Sequence, residues 1–455
     1  MPVLGIEFND AAITGVGEAG VVFSEPGYAF VDGTQNLFGV EALATARLNP
    51  RQVNNRYWHE LSESALPSSG SQYETFADLA QTQLERLWST CANDLTEVLF
   101  AVPGYWASEQ LGLLLGIAEE LGIPARGLVN CAVAATRRHY AERELFHIEG
   151  SLHEIGLTRL SQDGAAGLAE RYAVKELGIE ALERACAEFF SRRFVECSRF
   201  DPLHEAKTEQ MIYDKLHDWL AQLKRHDELE LSVAFDGYDF VAKVESRELD
   251  DYQRKVVEPL VQKLRSLLAG QPCALQVNAR LGAFSGVIEA LFGLPDCDVY
   301  VLEAGAAARG VLRRHQRLPS ASSGIRLTTA LPWDQPPVEP SPAERSGDTG
   351  QMPTHILYQG KAYRLGPEPF SIGSDLVGGA YGIAVGGPNS GISRRHCTVQ
   401  VEQSRLLVHD HSRYGTFLNG HRIEGSAVLQ QGDALSVGQP METLQLIAEV
   451  AGNGA

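Results

Sequence analysis

The sequence predicts two folded domains of different class, an α/β domain and then an all-β domain, joined by an extended tether. Three observations carry this expectation. Through about the first 317 residues, short apolar strands alternate with amphipathic helices. From Leu318 to Pro353 the chain reads LPSASSGIRLTTALPWDQPPVEPSPAERSGDTGQMP, where proline, serine and small polar residues replace periodic apolar ones. The roughly one hundred residues that follow read as short strands and turns. The expected divisions are therefore 1–317, 318–353 and 354–455. Within the tether, Thr328 to Trp333 is apolar enough to dock onto a folded surface.

The first domain opens with three short strands, Val3 to Phe8, Ala11 to Val16 and Val21 to Phe23, separated by Asn-Asp and Gly-rich turns, the pattern of an antiparallel meander. Amphipathic spacing predicts a helix from Phe76 to Cys91, followed by a buried strand from Glu97 to Pro103. Ser108 is placed to cap a helix through Leu113 and Ile117 to Leu121, which Gly122-Ile-Pro terminates. Helical character resumes from Leu128 to Tyr140, and Ile148 to Leu160 reads as strand, turn and strand. Long helices are expected over Ile179–Phe194, Thr208–Arg225 and Asp250–Leu268. Between the last two, the strands Glu228–Phe235 and Phe240–Val244 are joined by Asp236-Gly-Tyr-Asp. A strand at Ala274–Val277 and helices at Phe284–Leu291 and Ala304–His315 close the unit.

Composition narrows the partners. The 455 residues carry a formal net charge of −19, are 44% hydrophobic and 21% charged, an ordinary globular balance. Such an excess of acid argues against general affinity for nucleic acid or anionic lipid. No run reaches the roughly 18 apolar residues of a membrane span, and the first residues lack the basic and apolar regions of a signal peptide. Seven scattered cysteines without a Cys-x-x-Cys pair suggest reduced thiols and a cytoplasmic location.

Five stretches, in order, resemble the nucleotide-binding domain of the Hsp70, actin and sugar-kinase superfamily, over about residues 3 to 315. They are Gly5-Ile-Glu-Phe-Asn-Asp, Ala101-Val-Pro-Gly-Tyr-Trp with the helix ending Leu121-Gly-Ile, Val129-Asn-Cys-Ala-Val-Ala-Ala, Ala234-Phe-Asp-Gly-Tyr-Asp-Phe, and Glu303-Ala-Gly-Ala-Ala-Ala-Arg-Gly. The resemblance implies an actin/Hsp70-like α/β fold and an ATP-Mg²⁺ pocket built from three Gly-rich loops, whose backbone N–H groups approach the phosphates. Here those loops are degenerate. The first brings Glu7 and Asp10 without hydroxyls; the second aligns as His147-Ile-Glu-Gly150, adding Glu149; the third becomes Asn278-Ala-Arg-Leu. Cys131 stands where the hinge helix carries a glutamate, and no lysine occurs between Asn49 and Trp58. Lost glycines and added carboxylates disfavour a triphosphate, so a non-catalytic scaffold without bound cofactor is expected.

Other motifs point elsewhere only weakly. Gly15-Val-Gly-Glu-Ala-Gly fits GxGxxG, but a strand rather than a helix follows, so a hairpin turn is expected. His139, His147 and His153 lack the spacing of a closed metal site. No GxSxG or HExxH occurs.

From about Tyr363 to Ala448 the chain resembles a forkhead-associated (FHA) domain. The carrying stretches are Phe370-Ser-Ile-Gly-Ser-Asp, Ile392-Ser-Arg-Arg-His, Asp410-His-Ser-Arg-Tyr-Gly-Thr-Phe-Leu-Asn-Gly and Leu429-Gln-Gln-Gly-Asp-Ala-Leu-Ser-Val-Gly. The resemblance implies an FHA sandwich whose loops bind phosphothreonine. A phosphothreonine is a near-dianion with three acceptor oxygens, so its pocket needs convergent donors and positive charge. Ser393, Arg394 and Thr416 are the expected donors, with Arg413 nearby, Gly415 permitting the turn and Asn419 bracing the peptide. Gly373, His396 and Gly420 are expected to hold the loops. Two departures stand out: Ser374 replaces the family's arginine after glycine, and Tyr414 replaces its asparagine. One lost charge-assisted bond costs about 1.5–3 kcal/mol, which predicts weak affinity. Cys397, His396, His409 and His411 cluster in sequence, but strand alternation sends neighbours to opposite faces, against a metal site.

The expected function is thus a phosphothreonine-dependent adaptor on a pseudo-ATPase scaffold, its partner the substrate of a Ser/Thr kinase. The alternatives are an active Hsp70-type ATPase or chaperone recruited by its FHA domain, and a purely structural assembly subunit.

Overall fold

The computed structural model describes residues 3–66, 72–91, 95–175, 177–318, 324–338, 352–359, 361–366, 368–376, 381–386, 391–402, 405–418, 421–423, 425–438 and 442–447. The chain divides into two compact units, the first built from residues through His139, Arg143–Leu223 and Glu228–Pro336, the second chiefly from Pro337 onward.

Two six-stranded sheets organise the first unit. In the first sheet the order is Leu327–Thr328, Ala125–Asn130, Glu97–Val102, Val3–Glu7, Ile13–Gly17, Gly20–Glu25. In the second it is Cys297–Val301, Cys273–Val277, Glu144–Gly150, Glu154–Ser161, Ala166–Lys175, Ala330–Leu331. The two share one plan. The strand earliest in the chain lies inside, an antiparallel meander runs to one side of it, and parallel strands lie on the other, three in the first sheet and two in the second. Alternation along each strand feeds a core: Leu4, Ile6, Val98 and Phe100 in the first sheet, Phe146, Ile148, Leu275 and Val277 in the second.

The expected elements recur with four physical corrections. Leu128–Tyr140 is not one helix: Leu128 to Asn130 completes a parallel strand beside Glu97–Val102, and the Asn130 side chain accepts the Ala132 N–H at 3.0 Å, starting a short helix, Cys131–Ala135. Ser108 does not cap the next helix; it lies inside Ser108–Glu120, where the Gln110 side chain turns back to accept the Ala107 N–H at 2.9 Å. Asp250–Leu268 is two helices, Ser246–Val256 and Glu258–Leu268, because Pro259 lacks the N–H that continuation needs. The fourth correction concerns residues 324–336, assigned to the tether. They run as a strap across the first unit: Leu327–Thr328 pairs in parallel with Leu128–Val129, and Ala330–Leu331 pairs antiparallel with Ala166–Gly167.

Ionic contacts hold that strap. Arg137 grips Asp334 at 2.6 Å. Arg314, 1% exposed, donates to the carbonyls of Gly310, Thr136 and Pro332, with a further short bond to Ala134. A guanidinium is buried this deeply only when carbonyls satisfy its donors. The Gly15–Gly20 motif is a hairpin, with Gly17 opposite Gly20. The pair Glu228–Phe235 and Tyr238–Glu245 turns at Asp236 (φ 51°) and Gly237 (φ 79°), the left-handed geometry of a tight two-residue turn.

Cys273 and Cys297, directly opposed on neighbouring parallel strands, form a disulfide. The scattered cysteines of the sequence predict reduced thiols throughout; the joining of these two removes that ground for a cytoplasmic location. A cross-strand pair 24 residues apart has no local sequence signature. No helix among the described residues is long and apolar enough to cross a membrane.

The second unit is a β-sandwich. One sheet runs Lys361–Arg364, His355–Tyr358, Glu442–Ile447, Ala434–Val437, Thr416–Leu418, His421–Arg422. The other runs Gly382–Ala384, Phe370–Gly373, Cys397–Glu402, Arg405–Asp410, Ser426–Val428. Inward residues from both, among them Ile356, Phe370, Ile372, Val408, Leu435 and Leu444, make the core.

Candidate functional site

In the second unit three loops meet at one end of the Phe370–Gly373 and Cys397–Glu402 strands. Their junction is His396, fully buried, whose backbone N–H donates to Ile372. The Ser393 N–H donates to His396 Nδ1 at 3.2 Å, so the ring proton lies on Nε2, which donates to the Gly415 carbonyl at 3.1 Å. Burial pushes this imidazole below its ordinary range, although the Gly415 bond opposes it. The ring stays neutral, and neutrality keeps both bonds.

The third loop joins through the backbone. Ser374 donates its N–H to the Ser393 carbonyl at 3.0 Å. Gly373 is required beneath it, since a Cβ there would sit 1.8 Å from the Arg394 carbonyl oxygen. Gly415 adopts φ 92°, the left-handed region that turns the chain toward Thr416.

Ser393 Oγ accepts the Arg413 N–H at 3.3 Å, which leaves its hydroxyl proton to donate outward. Arg394 and Arg395 are exposed beside it, and Arg394 takes part in no ion pair among the described residues. The Arg413 guanidinium lies over the Tyr414 ring, 5.5 Å from its centroid. The Ser393 hydroxyl and the exposed Arg394 and Arg395 thus follow one another in a single loop, a set that suits a phosphate.

Thr416, expected to offer its hydroxyl to the ligand, is fully buried and donates it to Asp410 Oδ1 at 2.7 Å. The same oxygen accepts the Ser412 N–H at 2.9 Å, and Ser412 Oγ accepts the Gly415 N–H at 2.8 Å. Asp410 and Ser412 thus shape the loop, a role sequence reasoning missed; the Asp-x-Ser spacing of an Asx turn was the available signal. Tyr414 is buried where the family's asparagine was expected. Asn419 and Gly420 lie outside the described residues. His409 bonds Glu402 and His411 bonds Thr398, so each histidine of the cluster has its own partner.

The first unit holds the other candidate residues. A cleft of about 180 Å³ is lined in part by Glu7, Asn9, His147, Glu149, Asn278 and Arg280. Its three loops are bonded to one another. Asn9 Nδ2 donates to Glu149 Oε1 and to the Gly150 carbonyl, both at 3.1 Å. Asp10 Oδ1 accepts the Leu152 N–H at 2.7 Å. Asn278 donates to the Gly150 carbonyl at 3.0 Å and accepts the Gly150 N–H at 3.1 Å. Glu7 accepts the N–H groups of Ala307 and Ala308 at the start of the helix Ala306–Arg313. Burial pushes the carboxyl of Glu7 above the usual range and that of Glu149 up to about 7.

Residues 370–438 match the FHA domain family, whose members bind phosphothreonine peptides, and the sandwich described above agrees with that match. No curated protein matches the chain.

Proposed function

We propose that this chain is a non-catalytic adaptor that reads phosphothreonine on a partner protein, itself the substrate of a Ser/Thr kinase. The observation that carries the reading is the lacing of three loops through His396 and Ser393, which leaves Arg394 and Arg395 exposed beside Ser393 within the matched FHA region. The phosphate is taken by the Ser393 hydroxyl and by guanidinium groups. Binding of a phosphothreonine peptide library, lost in Ser393→Ala and in Arg394→Ala, tests it. Equal capture of dephosphorylated peptides would overturn it.

In the same reading the first unit is an actin/Hsp70-like scaffold that does not turn over ATP. The shared strand order of its two sheets supports the fold. The bonds that the Gly150 and Leu152 N–H groups donate to Asn278 Oδ1 and Asp10 Oδ1 support the lost activity, because they occupy backbone donors that a phosphate would need. A melting temperature unmoved by millimolar ATP-Mg²⁺ is expected; a saturable rise would overturn this half of the reading alone.

A further inference from the structure

We propose that the cleft of the first unit binds a compact organic cation, a guanidinium or primary ammonium group held between His147 Nδ1 and the Glu149 carboxylate. Both residues come from the strand Glu144–Gly150, two positions apart. Phe146 and Ile148 belong to the core, so alternation sends His147 and Glu149 to the opposite face, and both line the cleft.

His147 is 3% exposed, and its Nδ1 has no hydrogen-bond partner among the described residues. A buried polar atom without a partner is uncommon and calls for one. Because Nδ1 has no partner, the ring bonds Gln276 through Nε2, and with the proton on Nε2 the Nδ1 atom presents a lone pair. Burial pushes this histidine down to about 4, so it is a neutral acceptor at physiological pH.

Glu149 receives one hydrogen bond among the described residues, from Asn9 to Oε1. Its charged surroundings leave it without a counter-cation. Glu7 and Asp10 repel it, and Arg171, which attracts it, is already paired with Glu154. Arg280, the cleft's guanidinium, is shared between Glu7 and Glu183. The cleft thus offers two acceptors and an unbalanced negative charge. A phosphate would meet lone pairs on both sides, whereas a guanidinium or ammonium brings donors and the missing charge.

The test is calorimetric titration of the full chain with agmatine, without peptide or nucleotide, so its outcome is independent of the phosphopeptide reading. Saturable binding at one site is expected, about tenfold tighter at pH 8 than at pH 6 because the cation selects ionised Glu149. Glu149→Gln keeps an acceptor for Asn9; it is expected to weaken binding at least about tenfold and to remove the pH dependence. Tetramethylammonium, a cation without donors, is expected not to bind. The proposal is overturned by absence of saturable binding, by equal affinity in Glu149→Gln, or by tetramethylammonium binding as tightly as agmatine. Should the variant not fold, the wild-type pH series and the tetramethylammonium titration decide.

Discussion

Two sets of loops in this chain are laced by hydrogen bonds, with opposite results. Around His396 the bonds run beneath the surface, between backbone groups and a neutral ring, and leave a serine hydroxyl and arginines facing out. Around Gly150 the bonds join the loops directly, through Asn9, Asp10 and Asn278, and the charged groups lining the cleft include the Glu7 and Glu149 carboxylates with the Arg280 guanidinium. Lacing alone says nothing about binding; what decides is which groups the lacing consumes. The charge count follows the same division. From His355 onward there are seven basic and eight acidic side chains, a net of −1 against −18 for the rest.

The largest expected effect breaks the first set. His396→Ala strands the half-buried Ser393 N–H and the buried Gly415 carbonyl and opens a cavity, and is expected to destabilise the second unit by about 4 kcal/mol in urea unfolding. Phosphopeptide binding should vanish with it.

Next comes a pH experiment on the first unit. Burial lowers the His147 pKa from 6.5 to about 4, so its contribution to stability is present above 6.5 and is lost as pH falls toward 4. Glu149 is raised from 4.5 to about 7, so its protonated form contributes below 4.5 and that contribution is lost as pH rises toward 7. Between 4.5 and 6.5 the two slopes oppose each other, and the wild-type profile should be nearly flat. Glu149→Gln is expected to add about 3 kcal/mol above pH 7 and to uncover the His147 slope in chemical unfolding followed over pH 4–8. A flat profile in the variant would show that the histidine is not the titrating group.

Reduction of the Cys273–Cys297 disulfide is expected to cost the first unit about 3 kcal/mol and to leave the second unaffected. Separate unfolding transitions with and without dithiothreitol, with thiol counting by mass spectrometry, check it. The smallest effect sharpens the comparison. Ser374→Arg returns a guanidinium beside Ser393 and should tighten phosphothreonine binding by about 1.5–3 kcal/mol, measured by fluorescence anisotropy with one peptide across both proteins.

Much of the second unit was legible because its signals are local. Gly373, His396 and Gly415 sit in short motifs where neighbouring residues do the folding, and the sandwich follows from alternating strands. Thr416 shows the limit: the motif names the residue, but a hydroxyl facing Asp410 or facing out gives the same sequence. In the first unit, the meander and the hairpin at Asp236-Gly237 were readable from turn residues. The strand before Asn130 was hidden inside a helical-looking run, since a short apolar run fits either period. The strap at 327–331 was hidden by its prolines and serines, although its apolar middle gave a sign of docking.

The sequence by itself determined the two-domain division, the FHA motifs and the acidity around Glu7, Asp10 and Glu149, because composition and short-range spacing are written in neighbouring residues. Only the tertiary structure decided that Asn9 and Asn278 spend themselves on Gly150, that Cys273 meets Cys297, that residues past 318 belong to the first unit, and that His147 and Glu149 share a cleft. These are pairings between residues distant in the chain, set by strand register and burial, and no local pattern encodes them.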